Sequence, residues 1–124
     1  MLFRSPVQAL FQQINVMTYD LAGPWTGWVT WHNTALVSGR ATFPSTGEAL
    51  PSVASSLAAF LATGVARGRL GLGVDLYGYD WRGASAPMQS IRGVTTRTLS
   101  YASLMDTLWR ADRARWDEIG RAHV

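Results

Sequence analysis

Gln13-Ile14-Asn15-Val16-Met17-Thr18-Tyr19-Asp20-Leu21-Ala22-Gly23-Pro24-Trp25 decides how the rest of the sequence is read. Its spacing predicts a short buried strand over residues 14–18. Ile14 and Val16 fall on one face, and Asn15, Met17 and Tyr19 on the other. The strand stops abruptly in a polar, aromatic loop. An apolar face turned outward suits a parallel strand covered by helices. A mixed face ending in Met, Tyr and Asp suits a pocket at the carboxyl end of a strand, where α/β folds place their ligands.

Upstream, residues 5–12 hold Val7, Leu10 and Phe11 at helical spacing, with Pro6 acceptable in a first turn, which predicts the end of a helix feeding the strand. Downstream lies a long loop, residues 20–50, rich in Gly, Pro, Thr and Trp. Loops beyond about 15 residues in a compact domain are usually functional or disordered; Trp25, Trp28, Trp31 and His32 argue for order. Ser52 then caps a helix whose stripe is Val53, Leu57, Phe60 and Leu61 and whose stop is Gly64. A second strand is predicted over residues 70–76, with Leu70, Leu72, Val74 and Leu76 on one face and Gly71, Gly73, Asp75 and Tyr77 on the other. Strand, helix and strand form a right-handed βαβ unit, and Tyr77 arrives at the same end as Tyr19. Residues 77–81 read as another aromatic loop. Residues 83–98 read as irregular, with Ile91, Val94 and Thr95 adding at most a short strand. Ser100 caps a last helix through Leu104, Met105, Leu108 and Trp109.

At 124 residues the chain can bury one small core. Its net charge of +3 comes entirely from arginine on the basic side, without lysine. The arginines, from Arg4, Arg40, Arg67 and Arg69 to Arg82, Arg92 and Arg97, are scattered as on a solvated surface, so no nucleic-acid partner is expected. There is no cysteine, hence no disulfide or thiolate metal site. His32 has no companion at metal-ligand spacing and reads as a structural hydrogen-bond former; no metal and no cofactor is expected. No apolar run approaches the roughly 18 residues of a spanning helix, and the first residues are not a signal peptide. No membrane partner is expected. Gly71 and Gly73 lie within a strand and do not form a dinucleotide fingerprint.

The stretch Met17-Thr18-Tyr19-Asp20, followed by Gly23-Pro24-Trp25, resembles the sixth barrel strand of family 18 glycoside hydrolases, the chitinase family, with its Met-x-Tyr-Asp and Gly-x-Trp pattern. Thr30-Trp31-His32-Asn33-Thr34-Ala35-Leu36 is similar to the family's His-Asn-x-x-Leu segment. Leu70-Gly71-Leu72-Gly73-Val74-Asp75-Leu76-Tyr77-Gly78 is similar to its seventh strand, and Trp116-Asp117 gives a weaker echo. The resemblance implies an α/β fold: a partial (β/α)8 TIM barrel holding about strands six and seven with their helices and loops, since a whole barrel takes roughly 250 residues. Residues 1–118 are then an incomplete C-terminal portion of the catalytic barrel. The last residues, 119–124, resemble a reading frame of a sequencing adapter and are expected to be non-native.

The resemblance also implies a function. The parent is expected to be a retaining glycosidase that hydrolyses β-1,4-linked N-acetylglucosamine polymers by substrate-assisted catalysis, the route by which this family departs from the usual carboxylate pair. Chitin or a related glycan is the expected partner, and a secreted or cell-envelope parent is expected. The general acid belongs to an Asp-x-x-Asp-x-Asp-x-Glu segment that these residues do not contain, so the chain alone is expected to be inactive. By resemblance Tyr19 donates a hydrogen bond to the acetamido oxygen and Asp20 sits beside it; Met17 lines the pocket beneath the acetamido methyl, and Trp25 and Tyr77 frame the sugar ring. Asp75 and Tyr79 depart from the pattern, standing where many relatives have proline and arginine. From the residues alone the alternatives stay open: Tyr19 as a core residue, Asp20 as a loop cap, Met17 as core filler, and Trp28, Trp31 and Trp81 as packing for the loops. A non-catalytic chitinase-like lectin and a cell-wall or spore-glycan hydrolase of the same family are the alternative functions, and an unrelated small α/β interaction domain is a third.

Overall fold

The computed structural model describes residues 6–119 and 122–123. Ser5, where the first helical segment is expected to begin, and Gly120, Arg121 and Val124 of the suspected tail lie outside the described residues. The expected helix feeding the first strand is a single 3-10 turn, Pro6–Ala9.

Strand β1 (Ile14–Val16) and strand β2 (Leu70–Leu72) pair in parallel, with Ile14 opposite Leu70, Asn15 opposite Gly71 and Val16 opposite Leu72. Helix α1 (Val53–Ala62) lies between them in the chain, giving the expected βαβ unit. Its first turn is closed by a capping box in which Ser52 and Ser55 exchange side-chain and backbone hydrogen bonds. Its last turn ends where Gly64 takes φ +87, the left-handed position that a side chain would strain.

Both strands are shorter than their sequence pattern. Gly73 N–H donates to the Val16 carbonyl, and the buried Thr18 hydroxyl then donates to the Gly73 carbonyl at 2.9 Å. A side-chain bond thus replaces the next rung of the ladder and ends the regular pairing. The apolar face expected beneath covering helices is open: Leu72, Val74 and Leu76 are 49%, 74% and 75% exposed. Within α1 only Val53 is buried, and Leu57 and Leu61 flank a shallow groove against Leu70 and Leu72.

The core lies in the segment between β1 and α1. Ala22, Val29, Trp31, Ala35, Ala41 and Leu50 form one buried cluster, with Phe43, Trp81 and Ile119 packed against it. Irregular backbone can be buried only if its polar groups are paired, and a set of bonds here does so. Leu50 N–H donates to the Ala41 carbonyl, Phe43 N–H to Glu48, and Val53 N–H to Ala35. The Trp31 indole reaches the Pro51 carbonyl at 2.9 Å. The loop closes on itself and on the start of α1.

Residues 77–81, expected as a loop, are instead strand. Strand β3 (Tyr77–Arg82) pairs antiparallel with β4 (Thr95–Ser100), from Tyr77 opposite Ser100 to Arg82 opposite Thr95. Gly78 and Asp80 look like turn formers, but they alternate with Tyr77, Tyr79 and Trp81 at the strand period, and Ser100, Thr98 and Thr96 answer the three rings across the ladder. Asp80 is held by Arg97, directly opposite, at 3.2 Å and by Arg82 at 2.9 Å. The connection between the strands is pinned by a bridge between Val29 and Ser90. Ser100 caps helix α2 (Tyr101–Thr107), as its sequence position predicts. Two short strands follow, β5 (Trp116–Asp117) and β6 (Ala122–His123), paired antiparallel.

Candidate functional site

The loop that leaves β1 turns at Asp20, a non-glycine residue with φ +55. Aspartate tolerates this left-handed backbone better than most residues, and Asn33 rewards it. The Asn33 side-chain oxygen accepts from Asp20 N–H at 3.0 Å, and its backbone carbonyl accepts from Leu21 N–H. The same Asn33 donates through Nδ2 to Asp75 Oδ2 and, more weakly, to the Tyr77 carbonyl. Thr34 donates to the other oxygen of Asp75 at 2.6 Å. Two adjacent residues of the buried loop therefore tie the ends of both parallel strands together.

Asp20 Oδ1 accepts hydrogen bonds from Tyr77 at 2.5 Å and from Tyr79 at 2.7 Å. Burial, then the bond to Asp20 and its charge, push the Tyr79 phenol up to about 12. The same causes, in the same order, push Tyr77 further up. Both phenols are held as neutral donors, because losing either proton would set a phenolate against a carboxylate. The rings form a series. Tyr19 meets Tyr77 edge-on at 6.2 Å, Tyr77 meets Tyr79 at 6.3 Å, and Tyr79 meets Trp81 at 5.7 Å. Alternation along β3 places Tyr77, Tyr79 and Trp81 on one face.

That face borders a cavity of about 1010 Å³. Asn33, Thr34 and Asp75 give it polar lining, and Trp81, Met88, Leu104 and Trp109 apolar lining. His32 also lines it; in place of the structural bond expected within its loop, its Nε2 lies 3.0 Å from Asp117 Oδ1 on β5.

The structure brings Tyr19, Asp20 and Tyr77 into one cluster. Met17 and Trp25 stand apart from it. Met17 is 72% exposed at the end of β1, and Trp25 folds over Gly23 and meets Trp28 edge-on at 4.8 Å. Met17, Tyr19, Asp20 and Trp25 do not line the cavity; of the residues expected from the sequence, Tyr77 does. Sequence reasoning passed over Asn33, Thr34, Asp75 and Tyr79 as site residues, although the His32-Asn33 segment and the period-two run through Tyr79 were the signals that could have found them. Among the described residues no group of three or more His, Asp or Glu converges, and no helix is long and apolar enough to cross a membrane.

The sequence pattern of Glycosyl hydrolases family 18 matches residues 6–123. The chain belongs to family 18. Among solved structures, the Group IV chitinase of Ostrinia furnacalis superposes with a TM-score of 0.75 at 20% identity, over 98% of this chain and 36% of that one. The same enzyme is also solved in complex with allosamidin. The family 18 chitinase of Cycas revoluta, solved with (GlcNAc)3, gives 0.61 at 24% identity, over 92% of this chain and 32% of that one. Chitinase ChiW of Paenibacillus sp., described as cell-surface-expressed, gives 0.67 at 20% identity over 97% of this chain and 11% of that one. This family 18 chain therefore spans about a third of the first of these chitinases. None of the curated protein sequences matches it.

Proposed function

We propose that this family 18 chain supplies about the sixth and seventh strands of a (β/α)8 barrel, and with them the substrate-positioning wall of a retaining β-1,4-N-acetylglucosaminide hydrolase acting on chitin or a related glycan. The observation that carries the reading is the meeting of Tyr19, Asp20 and Tyr77 at the carboxyl ends of the parallel strands β1 and β2. In the substrate-assisted reaction the acetamido carbonyl attacks the anomeric carbon while a glutamic acid, outside these residues, protonates the leaving oxygen. Tyr19 donates its hydroxyl to the acetamido oxygen and holds that internal nucleophile in its attack geometry, a proximity effect. Asp20, fixed by two phenols, receives sugar hydroxyls. Met17 and Trp25 contact the acetamido methyl and the sugar ring once substrate is bound. The open faces of β2 and α1 support the barrel reading, since neighbouring strands and helices would cover them. A secreted or cell-envelope parent belongs to the same proposal.

The test begins with the flanking coding sequence, followed by expression of the parent protein. With Asp-x-x-Asp-x-Asp-x-Glu present upstream, the Tyr19→Phe variant is expected to lose about a hundredfold or more in kcat on chitin oligosaccharides, with KM changed far less. Activity within twofold of wild type would remove Tyr19 from the mechanism. An upstream motif with its glutamate replaced, and binding without hydrolysis, would make the parent a lectin. The 124-residue chain alone is expected to cleave nothing.

A further inference from the structure

Asp20 presents one occupied and one open carboxylate oxygen. Oδ1 takes both phenol bonds, while Oδ2 accepts none among the described residues, and the residue is exposed. The Asp75 carboxylate lies close enough for its charge to act on Tyr79. No arginine balances either group: among the described residues the ion pairs join His32 to Asp117, and Arg82 and Arg97 to Asp80. Tyr79 thus positions Asp20 without neutralising it. The donors to both carboxylates are neutral phenols, an amide and a hydroxyl. Among the described residues no cationic side chain pairs with either carboxylate beside the rings that would contact a sugar.

We infer that Tyr79 sets the charge preference of this site, so that its glycan is partly de-N-acetylated, with a free ammonium on the sugar next to the reacting one paired to Asp20 Oδ2. The inference rests on the hydrolase reading above. The reacting sugar keeps its acetyl group, which that reading requires as nucleophile. The neighbouring sugar offers Asp20 either a neutral donor or a charged one, and a charge-assisted bond to a carboxylate is about twice as strong as a neutral one. Because Asp20 is exposed, the preference is modest and salt-sensitive. An arginine at position 79 would fill the place of the ligand's cation.

The experiment compares two β-1,4 hexamers, one fully N-acetylated and one about half de-acetylated, binding to the parent protein at slightly acidic pH and low salt. The expected result is roughly three- to fivefold tighter binding of the amine-bearing hexamer, shrinking toward unity as salt is raised. Tyr79→Arg and, independently, Asp20→Asn are expected to abolish the preference. Tyr79→Phe, which loses the hydrogen bond but adds no charge, is expected to keep it, and this separates the charge of the site from its packing. Equal binding of the two hexamers by wild type, or a preference that survives both Tyr79→Arg and Asp20→Asn, would overturn the inference and leave the hydrolase reading standing. Binding of neither hexamer would overturn both.

Discussion

Within α1 only Val53 is buried, and β2 has no buried residue, whereas the irregular segment between β1 and α1 supplies Ala22, Val29, Trp31, Ala35, Ala41 and Leu50 to the buried cluster. The first region is the one whose periodicity is plain in the sequence. The second has no period at all, yet it carries the packing. Regular elements solve their own backbone hydrogen bonding and can wait for a partner to cover their side chains. An irregular segment must find partners for its backbone and its side chains together, so once ordered it is ordered by its own core.

That difference can be broken most forcefully at Trp31. Its ring is 5% exposed, and its indole N–H is bonded to the Pro51 carbonyl. Trp31→Ala is expected to cost about 3–5 kcal/mol in urea unfolding of the parent protein. A loss below about 1 kcal/mol would mean that the loop is not the core. The counterpart is Leu76→Ala, at a position 75% exposed in this chain. In the parent, where neighbouring barrel elements would cover that face, the substitution is expected to cost about 2–4 kcal/mol. A neutral result there would count against the barrel.

Gly73 sharpens the contrast at the boundary between the two regions. A Cβ added there would stand 2.9 Å from the Val16 carbonyl oxygen and 3.0 Å from the Tyr19 ring. Backbone cannot yield cheaply, so Gly73→Ala is expected to cost about 1–3 kcal/mol and to displace Tyr19, lowering turnover as well. At Gly68 an added Cβ meets nothing within 4 Å, and the same substitution is expected to be near neutral. Equal effects at both sites would show that the close approach of the strands is not what the glycine serves.

How much was legible follows from the same division. The Ser52 cap and the Gly64 stop could be read because each is encoded within a few neighbouring residues, and the βαβ unit and the convergence of Tyr19 with Tyr77 because each strand's own period and the order of the elements place their ends together. The pairing of β3 with β4 was not read, because Gly78 and Asp80 carry turn propensity and the partner threonines lie beyond a long connection. The site was legible in part. Tyr19 and Asp20 follow a strand in the sequence, but Asn33 joins Asp20, just past β1, to Asp75, in the segment between β2 and β3, and no local pattern announces a residue whose role is to join two distant ones.

The smallest expected effect concerns the phenols that join β3 to the loop at Asp20. Unfolded tyrosine titrates near pH 10, whereas Tyr79 in the folded chain is pushed up to about 12 by burial and by Asp20, and Tyr77 is raised further by the same causes. Between those values the unfolded chain has released protons that the folded chain still holds, so stability falls as pH rises. What the two phenols contribute is complete below about pH 10 and is lost progressively as pH climbs through about 12. The thermal midpoint of the parent protein is therefore expected to decline over that window. In Tyr79→Phe it should start lower and decline less, since one of the two shifted protons is gone. A decline of equal steepness in both proteins would place the alkaline sensitivity elsewhere, and Asp20 would then be held by Asn33 and Tyr77 without measurable help from Tyr79.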